Sequence, residues 1–172
     1  MPGVPAEITI REARVAVAGR LAALYCESAA YHAALDPDLY AVPEPSAMEP
    51  VLREQISAAR PSILIAECED DIAGFVSIEI STPSGHPSMM RPRVAAWPGI
   101  AVGAENRGRG VGTHLMAAAE TLAAERGAEE VVLDCHANNT AAVGFYERLG
   151  YRVRGLILSK PGVDGGGRDA SG

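Results

Sequence analysis

Two segments of the chain carry residue types at spacings that suit chemistry. The first is Val102-Gly103-Ala104-Glu105-Asn106-Arg107-Gly108-Arg109-Gly110-Val111-Gly112-Thr113, which follows an apolar run and opens a helical pattern. Glycines let backbone N–H groups come close to a phosphate, and a helix start adds partial positive charge. Arg107 and Arg109 add full charge and forked donors. The segment reads as an anion cradle for the pyrophosphate of a nucleotide-like cofactor. The second segment runs from Asn139 to Tyr151 and contains Tyr146, which by itself reads as a core aromatic on a helix face.

The surrounding pattern must position these segments. Glu7 to Arg11 alternates as a short strand, and Arg14 to about Ala33 has helical spacing through Ala18, Leu21, Ala22, Tyr25 and Ala29. Pro37 biases Asp36 away from helix. A second helix is expected from Ser46 or Ala47 to Ala59, with Ser46 and Glu49 forming a capping box. Ser62–Cys68 and Ile72–Ile80 read as a hairpin. Residues 81–92 read as an irregular loop. Arg93–Val102 reads as a strand broken at Pro98-Gly99, either by a bulge or by a plain edge kink. A helix from Val111 to Arg126 carries Val111, Leu115, Ala118 and Leu122 on one face and stops at Gly127. Glu130–Cys135 reads as a strand, and the loop Asn138-Asn139-Thr140 can cap the helix that follows. Gly150 closes that helix, and Tyr151–Leu158 reads as the last strand. Residues 31–40 mix aromatic and polar groups, which either cover the core or line a second-substrate pocket.

Strands 2 to 4 are joined without helices, so they are expected to be antiparallel, and the later helices form crossovers. The expected class is α/β of the α+β kind. It has a mixed, mostly antiparallel central sheet of six or seven strands flanked by about four helices. One domain over residues 1–160 and a flexible tail over 161–172 are expected.

Which cofactor the cradle holds is decided by what surrounds it. A dinucleotide fingerprint would need glycine where Thr113 stands, and more βαβ units around it. An ATP-type loop would need Gly-Lys-Ser/Thr after the glycines. By contrast, Arg107-Gly108-Arg109-Gly110-Val111-Gly112 matches the [Q/R]-x-x-G-x-[G/A] motif of the GNAT superfamily of N-acetyltransferases. Asn139-Thr140-Ala141-Ala142-Val143-Gly144-Phe145-Tyr146-Glu147-Arg148-Leu149-Gly150-Tyr151 resembles that family's N-x-x-A-x-x-x-Y-E-x-x-G-[FY] pattern, with one extra residue before the glycine. The resemblance covers roughly residues 93–155.

The resemblance implies a GNAT-like acyl-CoA transferase fold and direct acetyl transfer from acetyl-CoA to a primary amine in a ternary complex. It assigns the pyrophosphate to the backbone of Arg107, Gly108, Arg109, Gly110, Val111, Gly112 and Thr113. The pantetheine arm falls to Ile100, Ala101 and Val102, added like a strand, and to Asn139. Tyr146 becomes the acid that protonates the leaving thiolate. A backbone N–H near Pro98-Gly99 would stabilise the oxyanion. A non-catalytic acyl-CoA sensing domain is the alternative.

Two departures from the family pattern stand out. Ala104 replaces a frequent proline, and Arg93–Ile100 contains no carboxylate to serve as general base. Glu79, Asp134, His136, His32, His86 or a water chain could accept the proton. Glu79 and His136 rank first because both sit near strand ends facing the loops.

The rest of the composition bounds the partners. The 172 residues carry a net charge of −7 with no basic stripe, which argues against nucleic acid and favours a cationic second substrate, a small-molecule or protein amine. Cys26, Cys68 and Cys135 lack metal-ligand spacing, so no metal and no disulfide scaffold are expected. Cys135 as a covalent acyl carrier is set aside, since a thiol on a central strand is usually buried and inert. Neither a signal peptide nor a membrane span is recognisable, so the expectation is cytoplasmic. A homodimer is compatible with the sequence and not demanded by it.

Overall fold

The computed structural model describes residues 7–69, 71–81 and 93–159. They fall into two units, up to Asn139 and from Thr140. The expected loop up to residue 92, with His86, and the expected tail over 161–172 lie outside the described residues.

In the first unit the elements are β1 (Ile8–Glu12), α1 (Ala18–Leu35), α2 (Pro45–Ala58), β2 (Ser62–Cys68), β3 (Asp71–Ser81), β4 (Ala95–Val102), α3 (Val111–Glu125) and β5 (Glu130–Val131). The strands form one sheet in chain order. The first four are antiparallel, and β5 joins β4 in parallel. The fold is therefore α+β with a mixed sheet, as expected, and has five strands among the described residues.

Strand alternation sorts the core into two layers. Leu64, Val76 and Ala96 turn to the face covered by Val111, Leu115 and Ala119 of α3. Ile65, Phe75 and Ala101 turn to the opposite face, covered by Leu21, Leu24 and Leu52 of α1 and α2. On the α3 side the buried stripe is Val111, Leu115, Ala119 and Ala123. Ala118 and Leu122, expected on that stripe, only flank it.

Several expectations are corrected. The strand expected over Glu130–Cys135 ends at Val131. Val132 N–H still reaches Ala96 C=O at 2.8 Å, and the chain then leaves the sheet. A bulge at Pro98-Gly99 is absent from the β3–β4 ladder, which pairs one to one from Gly74↔Val102 to Ser81↔Ala95. The register shift lies instead between Ala66 and Glu67. Proline fits without a bulge because its missing donor falls on the outward edge of β4. Gly103 N–H bonds Ala73 C=O, whereas Ala96 C=O faces β5. Alternation therefore turns Pro98, Ile100 and Val102 away from β3. The Ser46–Glu49 capping box does not form either. Glu44 is the N-cap, and Glu49 pairs with Arg53 at 2.7 Å.

The second unit contains α4 (Thr140–Arg148). Gly150 sits at φ +92, in the left-handed region that glycine enters without strain. Tyr151 N–H bonds Tyr146 C=O and Gly150 N–H bonds Glu147 C=O, a Schellman ending. The strand expected over Tyr151–Leu158 is not formed, and Leu156, Ile157 and Leu158 are largely exposed.

Candidate active site

The cradle segment is built as its glycines require. After β4 the chain makes a short 3-10 turn over Ala104–Asn106 and then two left-handed residues, Gly108 at φ +73 and Gly110 at φ +88. Gly110 is the N-cap of α3 and supplies no capping side chain. The first N–H groups of a helix have no partner within it. Here those of Val111, Gly112 and Thr113 have no cap, which leaves a positive dipole end suited to an anion.

Ahead of the turn, β4 presents a backbone edge. Beyond Ala96 no strand among the described residues pairs with its outer side. Ile100 and Val102 therefore direct N–H groups outward, where an extended ligand could bond them. Val102 C=O is already taken by Arg107 Nε at 3.2 Å. Ala101, grouped with them from the sequence, turns its backbone to β3 instead and packs its side chain into the core.

The two arginines are held by neighbours. The Arg107 guanidinium lies over the Tyr31 ring, 5.0 Å from its centroid, and 3.9 Å from Glu27. Arg109 donates to Asn106 Oδ1 at 3.1 Å and stands 3.6 Å from Glu69. Glu27 also accepts the Ala104 N–H at 2.6 Å.

On the α1/α2 face, β3 and β4 change character along their length. Phe75 and Ala101 are core, but Ser77, Glu79, Gly99 and Trp97 follow on the same face. They line a cavity of about 250 Å³ together with Val132 and Asp134, at the place where β5 leaves the sheet. Glu79 and Trp97 are directly paired across the strands. Trp97 is 45% exposed, and its indole N–H donates to Ser81 Oγ.

The segment after β5 packs on the end of α1. His136 Nε2 lies 3.1 Å from Asp36 Oδ2, and His136 Nδ1 accepts the Asn138 N–H at 3.2 Å. Tyr40 lies between the His32 and His136 rings, tilted against the first and edge-on to the second. Burial pushes the Tyr40 phenol above its ordinary range, and Asp134, Asp36 and Cys135 push it further. Tyr31 Oη donates to Asn139 Oδ1 at 3.3 Å, and Asn139 is buried.

Residues 28–151 match the acetyltransferase (GNAT) family. The chain belongs to the GNAT family. Among curated relatives, the N-alpha-acetyltransferase 30 of Schizosaccharomyces pombe is 44% identical over 52 residues, 30% of this chain and 35% of that protein. The chain spans between 35% and 46% of the length of the curated relatives it matches. A solved structure of a mutant of the BH1408 protein from Bacillus halodurans shares the fold. It has a TM-score of 0.82 at 21% identity, over 89% of this chain and 98% of that one. An aminoglycoside N-acetyltransferase, AAC(6')-Iy, solved in complex with CoA, has a TM-score of 0.65 at 21% identity, over 94% of this chain and 99% of that one.

Against this GNAT background the sequence-derived residues separate. Ile100, Val102 and Arg107 to Thr113 form one continuous edge and turn. Glu79 lines the cavity, while His136 uses both ring nitrogens in structural bonds. Tyr146 lies on α4, half-buried, with Phe145 and Tyr151 rings at 5.2 and 5.9 Å. Burial raises the Cys135 thiol, helped by Asp134, so it is a poor nucleophile at neutral pH. Among the described residues no group of three or more His, Cys, Asp or Glu is arranged to hold a metal. No helix there is long and apolar enough to cross a membrane. Sequence reasoning missed Glu27 and assigned no specific contact to Tyr31. An acidic and an aromatic residue on the same helix face were the only signal.

Proposed function

We propose that the chain transfers an acetyl group from acetyl-CoA to a primary amine, within one domain spanning residues 1–160. The observation that carries this reading is the outward edge of β4, which runs into the Gly108–Gly110 turn and the uncapped start of α3. An extended amide chain with a diphosphate at its end fits that sequence of donors. Ile100 and Val102 would bond the pantetheine amides, and the N–H groups from Gly108 to Thr113 the pyrophosphate; the Arg107 N–H is already bonded to Ala104 C=O at 3.3 Å, so Arg107 would act through its side chain. Asn139 would bond the pantetheine from the other side. The bound cosubstrate supplies an activated thioester carbonyl.

The acceptor is proposed to enter the cavity over Trp97. The lining carries two carboxylates, Glu79 and Asp134, and no cation, so it favours an ammonium group over an anionic substrate. A flat indole beside them adds cation–π attraction. Glu79 is proposed to take the proton that the ammonium must lose before attack. The amine nitrogen then bonds to the carbonyl carbon, the C–S bond breaks, and the nitrogen loses its second proton to solvent. Tyr146 is proposed as the acid for the departing thiolate.

A thiol-release assay with acetyl-CoA and a panel of amines tests the reading. Release that depends on an added amine, with the acetylated amine recovered, is the expected result. Tyr146→Phe should lower kcat and leave CoA affinity nearly intact. CoA binding with no turnover on any amine would favour an acyl-CoA sensing role.

A further inference from the structure

We infer that Tyr31 is a positioning residue for the acyl donor, holding the two arms of the donor site at their spacing. The inference rests on the acetyl-CoA reading above. The arms are the turn after β4, with Arg107, and the turn at 136–139, with Asn139. In the sheet, β5 pairs with β4 only at Ala95↔Glu130 and Ala96↔Val131. Beyond the Val132 bond no backbone ladder among the described residues links the two arms, yet a ligand lying along Ile100 and Val102 would need them at a set distance.

Tyr31 bridges that gap from α1. Its hydroxyl donates to Asn139 Oδ1 at 3.3 Å, and its ring carries the Arg107 guanidinium 5.0 Å from the centroid. Arg107 in turn donates to Val102 C=O. One side chain thus touches both arms. An amide has an accepting end and a donating end. By taking Oδ1, the Tyr31 hydroxyl fixes which end of Asn139 faces α1 and which faces away. The same turn is tied a second time, because His136 bonds Asp36 at the end of α1. Asn139 is 6% exposed, so its amide has little room to choose another orientation.

The test separates the hydroxyl from the ring. Tyr31→Phe keeps the ring under Arg107 and removes the bond to Asn139, and Tyr31→Leu removes both. Acetyl-CoA Kd by calorimetry, KM and kcat with an amine the wild type acetylates, and melting temperature are measured for each. Tyr31→Phe should weaken acetyl-CoA about 3- to 10-fold, the range of one neutral hydrogen bond. Its kcat at saturating donor should stay within about 2-fold of wild type, and its melting temperature should fall only by the cost of one lost hydrogen bond to the buried Asn139 amide. In an Asn139→Ala background the same change should add nothing. Tyr31→Leu should weaken binding further. Equal binding by Tyr31→Phe, or effects that simply add in the double variant, would overturn the inference and leave the donor reading intact. Failure of the wild-type chain to bind acetyl-CoA would overturn both.

Discussion

Glu79 and Trp97 are directly opposed residues of β3 and β4, and both face the cavity where β5 leaves the sheet. On the proposed mechanism, this pairing would supply the carboxylate that β4 lacks. A residue on the neighbouring strand, at the same level and on the same face, can reach the same space. Glu79→Gln should therefore lower kcat by about 10²- to 10⁴-fold, the usual contribution of a positioned base. Acetyl-CoA Kd should stay the same. A variant with unaltered kcat would move the proton to water.

His136 has the opposite standing. Its Nδ1 accepts the Asn138 N–H, so Nε2 carries the proton and donates to Asp36. Both nitrogens are spent on holding the turn that carries Asn139. His136→Gln should cost about 1.5–3 kcal/mol of stability, as for a hydrogen bond to a charged group, and raise the KM for acetyl-CoA. The kcat at saturating acetyl-CoA should not change. Urea unfolding and the split between KM and kcat check the two halves of this statement.

What was legible in the sequence was local. Gly108, Gly110, Gly127 and Gly150 mark turns because a left-handed φ is a property of one residue. The helices follow from periodicity within a few turns. Val132–Cys135 and Tyr151–Leu158 have strand-like composition, but a strand needs a partner, and the pattern does not say where the ladder stops. Pro98 left a bulge and a plain edge position open, because sequence cannot tell which edge of β4 its absent donor faces. Contacts such as Tyr31–Asn139 and Glu27–Ala104 join residues far apart in the chain. They depend on how α1 crosses the sheet, which no spacing rule encodes.

Stability should fall on the alkaline side for a reason visible in the folded state. Burial raises the Cys26 and Cys135 thiols, and burial with nearby carboxylates raises the Tyr40 phenol. A group raised in the folded state gives stability that is complete below its unfolded value and lost as pH climbs through the folded one. The thiols set the start of the loss, from about pH 8.5, and Tyr40 extends it from about pH 10. Urea midpoints measured from pH 7 to 11 should decline in that window. Cys26→Ala with Cys135→Ala should delay the onset, and Tyr40→Phe should flatten the upper part.

The two left-handed glycines of the cradle should differ in what they lose. A Cβ built on Gly108 meets nothing within 4 Å, so Gly108→Ala costs only the left-handed backbone, about 1–2 kcal/mol. Asparagine enters that region more readily, so Gly108→Asn should recover part of it. Gly110 adds a second demand. Its Cβ would lie 3.8 Å from the His114 ring, an ordinary contact, but also beside the uncapped start of α3. If the pyrophosphate docks there, Gly110→Ala should weaken CoA beyond its effect on folding, at least 10-fold at a temperature where the variant is fully folded. Gly108→Asn should change CoA affinity less. Calorimetry on the two variants, each first shown folded by thermal melting, tests the assignment. Equal affinities would remove the start of α3 from the anion site and leave these glycines with a purely conformational role.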